Sequence, residues 1–282
     1  MEEMTVKHYL YEGDNLDIMK KLMPIYKGAV DVMPIDPPYN TGIKYAGYDD
    51  EDFGGDWFDF MRSRLEAMRE LLSNHGVAFI HIDENEFCAL YGMCKDIFGT
   101  NNVMNMIWKK TNERFDKHRT EKPLEAGVRR IHEFVVVVFK DRENTRLNPI
   151  CQPVWNGTCY VETIRPLETI LDDMGTTSSA KDELVELLGD RTIFRTPKPV
   201  KLIKEFVRAA GNRNSVVMDI FAGSGTTGHA VMELNAEDGG KRQFILVTNN
   251  ENDICRKVTL PRLKVVMDRI GVKDELEFIA QD

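Results

Sequence analysis

Two patterns of apolar and polar residues alternate along the chain. Short, nearly unbroken apolar runs occur at Val30 to Ile35, Val77 to Ile82, Val135 to Phe139, Val216 to Phe221 and Gln243 to Val247. Runs of this length with no polar residue at every second position predict strands covered on both faces. Between them, apolar residues recur at steps of three and four. The clearest case is Trp57, Phe60, Met61, Leu65, Met68 and Leu72, which predicts an amphipathic helix capped by Asp56 and ended by Gly76. Helices are likewise predicted from Leu16 to Leu22, with Asp14 or Asn15 as cap, from Glu86 to Ile97, Val200 to Ala209 and Thr226 to Leu234, and from Pro261 to Gly271. Lys7 to Tyr11 and Val103 to Trp108 add two more strands. Repeated strand–helix units with apolar strands imply an α/β chain built on a doubly wound, mostly parallel sheet.

Two segments carry no such pattern. Thr111 to Arg130 is charged, contains Pro123 and Gly127, and reads as a long loop or lid. Asp141 to Arg191 has only one helix-like run, Asp182 to Leu188, and reads as a small insertion rather than a second core. The expected organisation is therefore one domain over residues 1–282, interrupted by these segments.

Composition narrows the class. With 42% hydrophobic and 29% charged residues the chain suits a globular protein with a sizeable core. No apolar run approaches the roughly 20 residues of a membrane span, and Met1-Glu2-Glu3-Met4 is no signal peptide, so a cytoplasmic protein without membrane contact is expected. The five cysteines form no C-x-x-C pair, which points to reduced thiols and to no metal site. The net charge of −9 argues against a generic nucleic-acid binder, but it is unevenly spread. Trp108 to Arg146 holds eleven Lys/Arg against seven Asp/Glu, so this segment is +4 and the rest of the chain −13. An ordinary solvated loop and a surface that docks a polyanion explain that balance equally well.

The candidate chemistry sits at two strand ends. Asp36-Pro37-Pro38-Tyr39-Asn40 follows the Val30 to Ile35 run. Prolines cannot donate to a sheet ladder and restrict the residue before them to extended geometry, so this turn holds a carboxylate, carbonyls and a ring at fixed spacing. Those groups suit the amino edge of a planar base. Asp219-Ile220-Phe221-Ala222-Gly223-Ser224-Gly225-Thr226-Thr227 joins the next apolar strand to a helix. Gly223 and Gly225 let the backbone approach a ligand, and the free N–H groups of the helix start favour an anion. The turn lacks the third glycine of a dinucleotide fingerprint and is not a phosphate loop. Val77 to Asp83 also contains His81, read as a satisfied core residue.

Together the two stretches resemble the DNA amino-methyltransferases that use S-adenosylmethionine, whose D-P-P-Y and F-x-G-x-G motifs match Asp36 to Tyr39 and Phe221 to Gly225. The catalytic motif precedes the cofactor motif, as in the β group of these enzymes. D-P-P-Y-N-T-G, His132-Glu133-Phe134 before an apolar strand and Pro197-Lys198-Pro199 before a helix are similar to modification subunits of type III restriction systems. The resemblance implies a Rossmann-like S-adenosylmethionine-dependent fold and methylation of adenine N6 in DNA. Asp36, Pro37, Pro38 and Tyr39 would be catalytic. Asp36, Asp219, Phe221, Ala222, Gly223, Ser224, Gly225 and Thr226 would line the cofactor site, with Lys198 near the cofactor carboxylate. Asp14 is either a plain helix cap or a position near the cofactor's adenine. Asn40, Lys109, Lys110, Arg114, Lys117, Arg119, Lys122, Arg129 and Arg130 would face DNA, within a recognition region formed by residues 109–130 and 141–191. The resemblance also implies a bacterial or phage-encoded protein, with a second copy of the chain and a restriction subunit as partners.

Two departures stand out. Where the family places a ribose-binding acid after the strand ending at Val247, this chain has Thr248-Asn249-Asn250, so Asn249 or the later Glu251 would take that contact. The insertion is also shorter than the recognition regions of type III subunits. N4 methylation of cytosine and a catalytically silent DNA-binding or assembly subunit are the alternatives.

Overall fold

The computed structural model describes residues 5–45, 48–50, 56–111, 128, 130–155, 158–271 and 273–281. In chain order the strands and helices are β1 (Lys7–Glu12), α1 (Asn15–Tyr26), β2 (Val30–Ile35), β3 (Ile43–Tyr45), β4 (Tyr48–Asp50), α2 (Asp56–Leu71), β5 (Leu72–Ile82), α3 (Phe87–Phe98), β6 (Val103–Lys109) and β7 (His132–Phe139). They continue as β8 (Ile150–Trp155), β9 (Tyr160–Arg165), β10 (Ile170–Leu171), α4 (Thr177–Leu188), α5 (Val200–Ala210), β11 (Val216–Asp219), α6 (Thr226–Asp238), β12 (Gln243–Thr248), α7 (Leu260–Ile270) and β13 (Glu275–Ala280).

Nine strands form one sheet in the order β10-β6-β7-β5-β2-β11-β12-β1-β13. Every neighbouring pair is parallel except the two that involve β7. This is the α/β sheet expected from the apolar runs. Side chains alternate across it, so each strand feeds two cores. Val77 and Phe79 of β5 join Val217, Phe206 and Leu263 on one face, under α5, α6 and α7. Ala78 and Ile80 join Met33, Met218, Trp57, Met61 and Leu65 on the other, under α1, α2 and α3. Phe79 stacks on Phe206 with ring centroids 4.2 Å apart. Each such fully buried aromatic contributes about 1.5–3 kcal/mol of burial, which is why strands this apolar are found only between two helical layers.

The middle of the sheet positions the chemistry. β2 and β11 share a single register pair, Val32 with Val217. Pro34, which has no N–H to offer a ladder, lies beyond that pair. From here the chain winds outward in opposite directions, β2 to β5 on one side and β11 to β12 on the other. The crevice outside the carboxyl ends of strands at such a switch point is where ligands bind in open α/β sheets.

Several elements went unpredicted. Asp141 to Arg191 carries the β8–β9 hairpin, the two-residue β10 that extends the sheet beside β6, and a helix α4 that begins five residues before the predicted run. Thr176 caps α4 through a reciprocal bond with Ser179, the signal that the Thr/Ser stretch contained. At the other edge, β13 pairs in parallel with β1.

Candidate active site

The two stretches singled out in the sequence meet across one cavity of about 410 Å³, formed by the ends of β1, β2, β11 and β12. The Asp36 turn is held from α2, where Trp57 Nε1 donates to the Pro38 carbonyl at 2.9 Å. Asn40 takes a left-handed backbone, φ 58°, and its side-chain amide donates to Glu86 at 2.7 Å. Both oxygens of Asp36 are engaged. Tyr39 donates its hydroxyl to Oδ1 at 2.7 Å, and Lys198 Nζ donates to Oδ2 at 2.6 Å.

Lys198 therefore sits on the acid of the first motif and not out in solvent at the start of its helix. It is buried, and its ammonium also lies 3.5 Å from Glu133. Burial works against that charge, but Asp36 and Glu133 outweigh it and raise the lysine pKa. Glu133, at the head of β7, accepts from Lys110 at 3.2 Å and lies 3.0 Å from the Tyr39 hydroxyl. Burial opposes its charge too, yet the two lysines hold its carboxyl well below the usual carboxylate range. Burial first, and then the Asp36 and Glu133 charges, push the Tyr39 phenol upward.

His81 corrects an expectation. It lies on β5, lines the cavity and is almost fully buried, but neither ring nitrogen has a hydrogen-bond partner among the described residues. Burial, reinforced by the Lys198 charge, lowers its pKa to about 4, so the ring is neutral and unsatisfied rather than a satisfied core residue.

The second half of the site is a clamped turn. Asp219 accepts from the Phe221 backbone N–H at 3.0 Å and from the Thr227 hydroxyl at 2.6 Å, and burial raises its pKa to about 7. Gly225 has φ 80°, and a Cβ there would meet Thr259 Cγ2 at 3.1 Å, so a side chain would bring both strain and crowding. Thr259 donates to the Gly223 carbonyl at 2.6 Å. Beneath the turn lies Arg262 of α7, with no exposed surface, donating to Ser224 Oγ at 3.1 Å and Thr226 Oγ1 at 2.9 Å. Thr226 in turn donates to the Lys198 carbonyl at 3.2 Å. Through that bond and the Lys198–Asp36 pair, the glycine-rich turn is tied to the Asp36 turn.

At the β1 end, Asp14 is a helix cap that also faces the cavity, accepting from the Asp17 N–H of α1 at 3.0 Å. Its other oxygen pairs with Arg64 at 3.0 Å, and that guanidinium covers the Phe60 ring. Asn249 lines the cavity beside Glu251, which lies 3.5 Å from it.

The expected DNA-facing residues fare differently. Lys110 is turned onto Glu133, Lys109 lies 3.5 Å from Asp172, and Arg130 pairs with Glu84. Arg114, Lys117, Arg119, Lys122 and Arg129 lie outside the described residues. Glu133, Arg262, Arg64 and Trp57 were not anticipated as parts of the site. The sequence signal for Glu133 was the His132-Glu133-Phe134 stretch before an apolar strand, one of those that carry the resemblance, without a role attached to the acid.

With the fold and site in view, the class is that of open α/β sheets with the ligand crevice at the central strand ends. A family model described as DNA methylase, covering N6 and N4 amino-methyltransferases, matches residues 30–260, and the chain belongs to that family. It is 29% identical over 91% of its length to the type III restriction-modification enzyme StyLTI Mod subunit of Salmonella typhimurium, covering 55% of that relative. It is 25% identical over 89% of its length to the EcoPI Mod subunit of Escherichia phage P1, covering 58% of it. The chain thus spans little more than half the length of these relatives. Its fold is shared with a Thermus thermophilus protein whose structure is complexed with S-adenosyl-L-methionine, at TM-score 0.60 and 16% identity, covering 98% of this chain and 99% of that one.

Proposed function

We propose that the protein is a DNA methyltransferase that moves a methyl group from S-adenosylmethionine to the exocyclic N6 of an adenine turned out of the duplex. One observation carries the reading: the acid and ring of the Asp36 turn share a cavity with the Gly223–Gly225 turn. The cavity suits the donor in size, falling within the roughly 300–1,000 Å³ of small-molecule sites. The bare backbone at Gly223 and the α6 start suit a carboxylate, and the polar groups of Asp14 and Asn249 lie at the other end. S-adenosylmethionine, when bound, supplies a methyl group on a positively charged sulfur.

An adenine amine is a poor nucleophile because its lone pair is delocalised into the ring. Asp36 and the Pro37 carbonyl each accept one N6 hydrogen, which favours a pyramidal nitrogen with its lone pair directed at the methyl group. Tyr39 stacks on the base. Once S-adenosylmethionine had supplied the methyl group, Asp36 or water would take the surplus N6 proton. Lys198, 2.6 Å from Asp36 Oδ2, holds that carboxyl correctly turned, so catalysis rests on positioning and electrostatics. Removing the base from the stack costs a few kcal/mol.

The reading extends to partners. A restriction subunit and a second copy of the chain are proposed, the first because the relatives are named as subunits of restriction-modification enzymes. The test is transfer of labelled methyl groups from S-adenosylmethionine to DNA, followed by digestion to nucleosides. N6-methyladenine is expected. N4-methylcytosine would move the assignment to the other amine, and absence of both transfer and donor binding would defeat it.

A further inference from the structure

The Tyr39 hydroxyl has one hydrogen and two carboxylates within reach, Asp36 Oδ1 at 2.7 Å and Glu133 Oε2 at 3.0 Å. It can serve only one of them at a time. Lys198 does not resolve this competition, because it approaches both acids, at 2.6 Å and 3.5 Å, and also donates to the phenol oxygen at 3.2 Å. Lys110 fixes the remaining oxygen of Glu133. Two anions and two cations thus surround a single rotatable O–H.

We propose that Glu133 is a positioning residue for methyl transfer: it takes over the Tyr39 hydroxyl when the target amine arrives, and so frees Asp36 Oδ1 to accept the amine hydrogen. This rests on the methyltransferase reading above. With the hydroxyl turned to Asp36, that carboxylate already carries two donors and is a weakened acceptor for a third. With the hydroxyl turned to Glu133, Asp36 keeps only Lys198 and presents a full lone pair to the substrate. The exchange is a rotation about the phenol C–O bond. No covalent bond is made or broken, and no proton changes owner.

The surroundings favour an acceptor over a proton store. Glu133 is buried between two ammonium groups that stabilise its ionised form, so it does not collect the proton released by the amine. His81, whose Nδ1 lies 4.0 Å from Glu133, stays neutral and adds no competing charge.

A double-mutant cycle tests the proposal. The single-turnover rate of methyl transfer to DNA is measured for the unmodified protein, Glu133→Gln, Tyr39→Phe and the double variant, with donor affinity by calorimetry. Tyr39→Phe keeps the ring and removes the hydroxyl. Glu133→Gln is expected to slow transfer roughly tenfold to a hundredfold, as for loss of a hydrogen bond to a charged group, with donor affinity unchanged. In the Tyr39→Phe background the same change is expected to have little further effect. Equal slowing in both backgrounds overturns the proposal, as does no slowing in either, or a loss of donor affinity that matches the loss of rate. Should Glu133→Gln fail to fold, Lys110→Gln, at a partly exposed position, loosens Glu133 and is held to the same pattern. An unmodified protein that transfers nothing refutes the underlying methyltransferase reading, whereas active protein with additive variants refutes the role of Glu133 alone.

Discussion

Lys198 Nζ lies 2.6 Å from Asp36 Oδ2, although 162 residues separate them in the chain. The pair joins the two halves of the site, because the Lys198 carbonyl also accepts from Thr226 on the glycine-rich turn. An acid fixed by a buried ammonium is oriented before any substrate arrives, which is the preorganisation that an in-line displacement needs.

Removing the acid separates chemistry from binding. Asp36→Ala is expected to abolish methyl transfer to DNA while leaving donor affinity within a few-fold of the unmodified protein. The Gly223 and Gly225 backbone and the Asp14 end are untouched by the change. Calorimetry with S-adenosylmethionine and a labelled-methyl assay check the two halves, and near-normal transfer would remove Asp36 from the mechanism.

Removing the lysine acts mainly on stability. Lys198→Met leaves Glu133 buried with a single ammonium partner and Asp36 with none, and breaking a buried pair in this way costs about 3–5 kcal/mol. Adding Glu133→Gln should recover part of that loss, since the uncompensated charge is then gone. Urea unfolding of both variants measures this, and a double variant less stable than the single would contradict the charge argument.

Asp219 predicts a pH dependence. Burial raises its folded pKa to about 7, above the ordinary value of 3.8, so the folded protein binds a proton there that the unfolded chain has released. Its contribution to stability is full below pH 4 and is lost as pH rises toward 7 and above. Asp219→Asn should therefore gain stability relative to the unmodified protein as pH rises from 5 to 8. The gain is roughly 2–3 kcal/mol, the part of the shift that falls between pH 5 and 8. Thermal melts across that range check it, and a constant difference would show that Asp219 does not titrate there.

Arg262 should govern the donor end. Arg262→Met strips Ser224 and Thr226 of their buried donor, and donor affinity is expected to fall tenfold or more. Arg262→Lys, which retains a charge, should fall less. Equal affinity in all three proteins would show that the turn holds its shape without the guanidinium.

The strands of the central sheet were legible because their apolar runs are nearly unbroken, a pattern that double coverage explains. The two motifs were legible because prolines and glycines have few structural uses at strand ends. The edges were harder to read. In β13, the acids Glu275 and Glu277 alternate with Leu276 and Phe278 and no residue is fully buried, and β10 is two residues long. The charged members of the site were the least legible. Arg262 carries a charge that argues for solvent, yet it is fully buried on α7 beside Leu263 and Val266, because its partners come from a turn 36 to 38 residues earlier. Lys198 at a helix start and Glu133 at a strand start are likewise ordinary surface residues until the tertiary fold brings them together.

The single register pair between β2 and β11 makes the chemistry indifferent to the length of chain between them. Loop closure grows only slowly more costly with loop length, and the segment from β7 to α5 leaves and re-enters at the sheet without altering the Val32–Val217 junction. The residues between the two motifs can lengthen, shorten or be exchanged while acid, ring and glycine-rich turn keep their spacing. On the methyltransferase reading proposed above, target choice and methyl transfer can then change at separate rates, with one sheet serving many addresses.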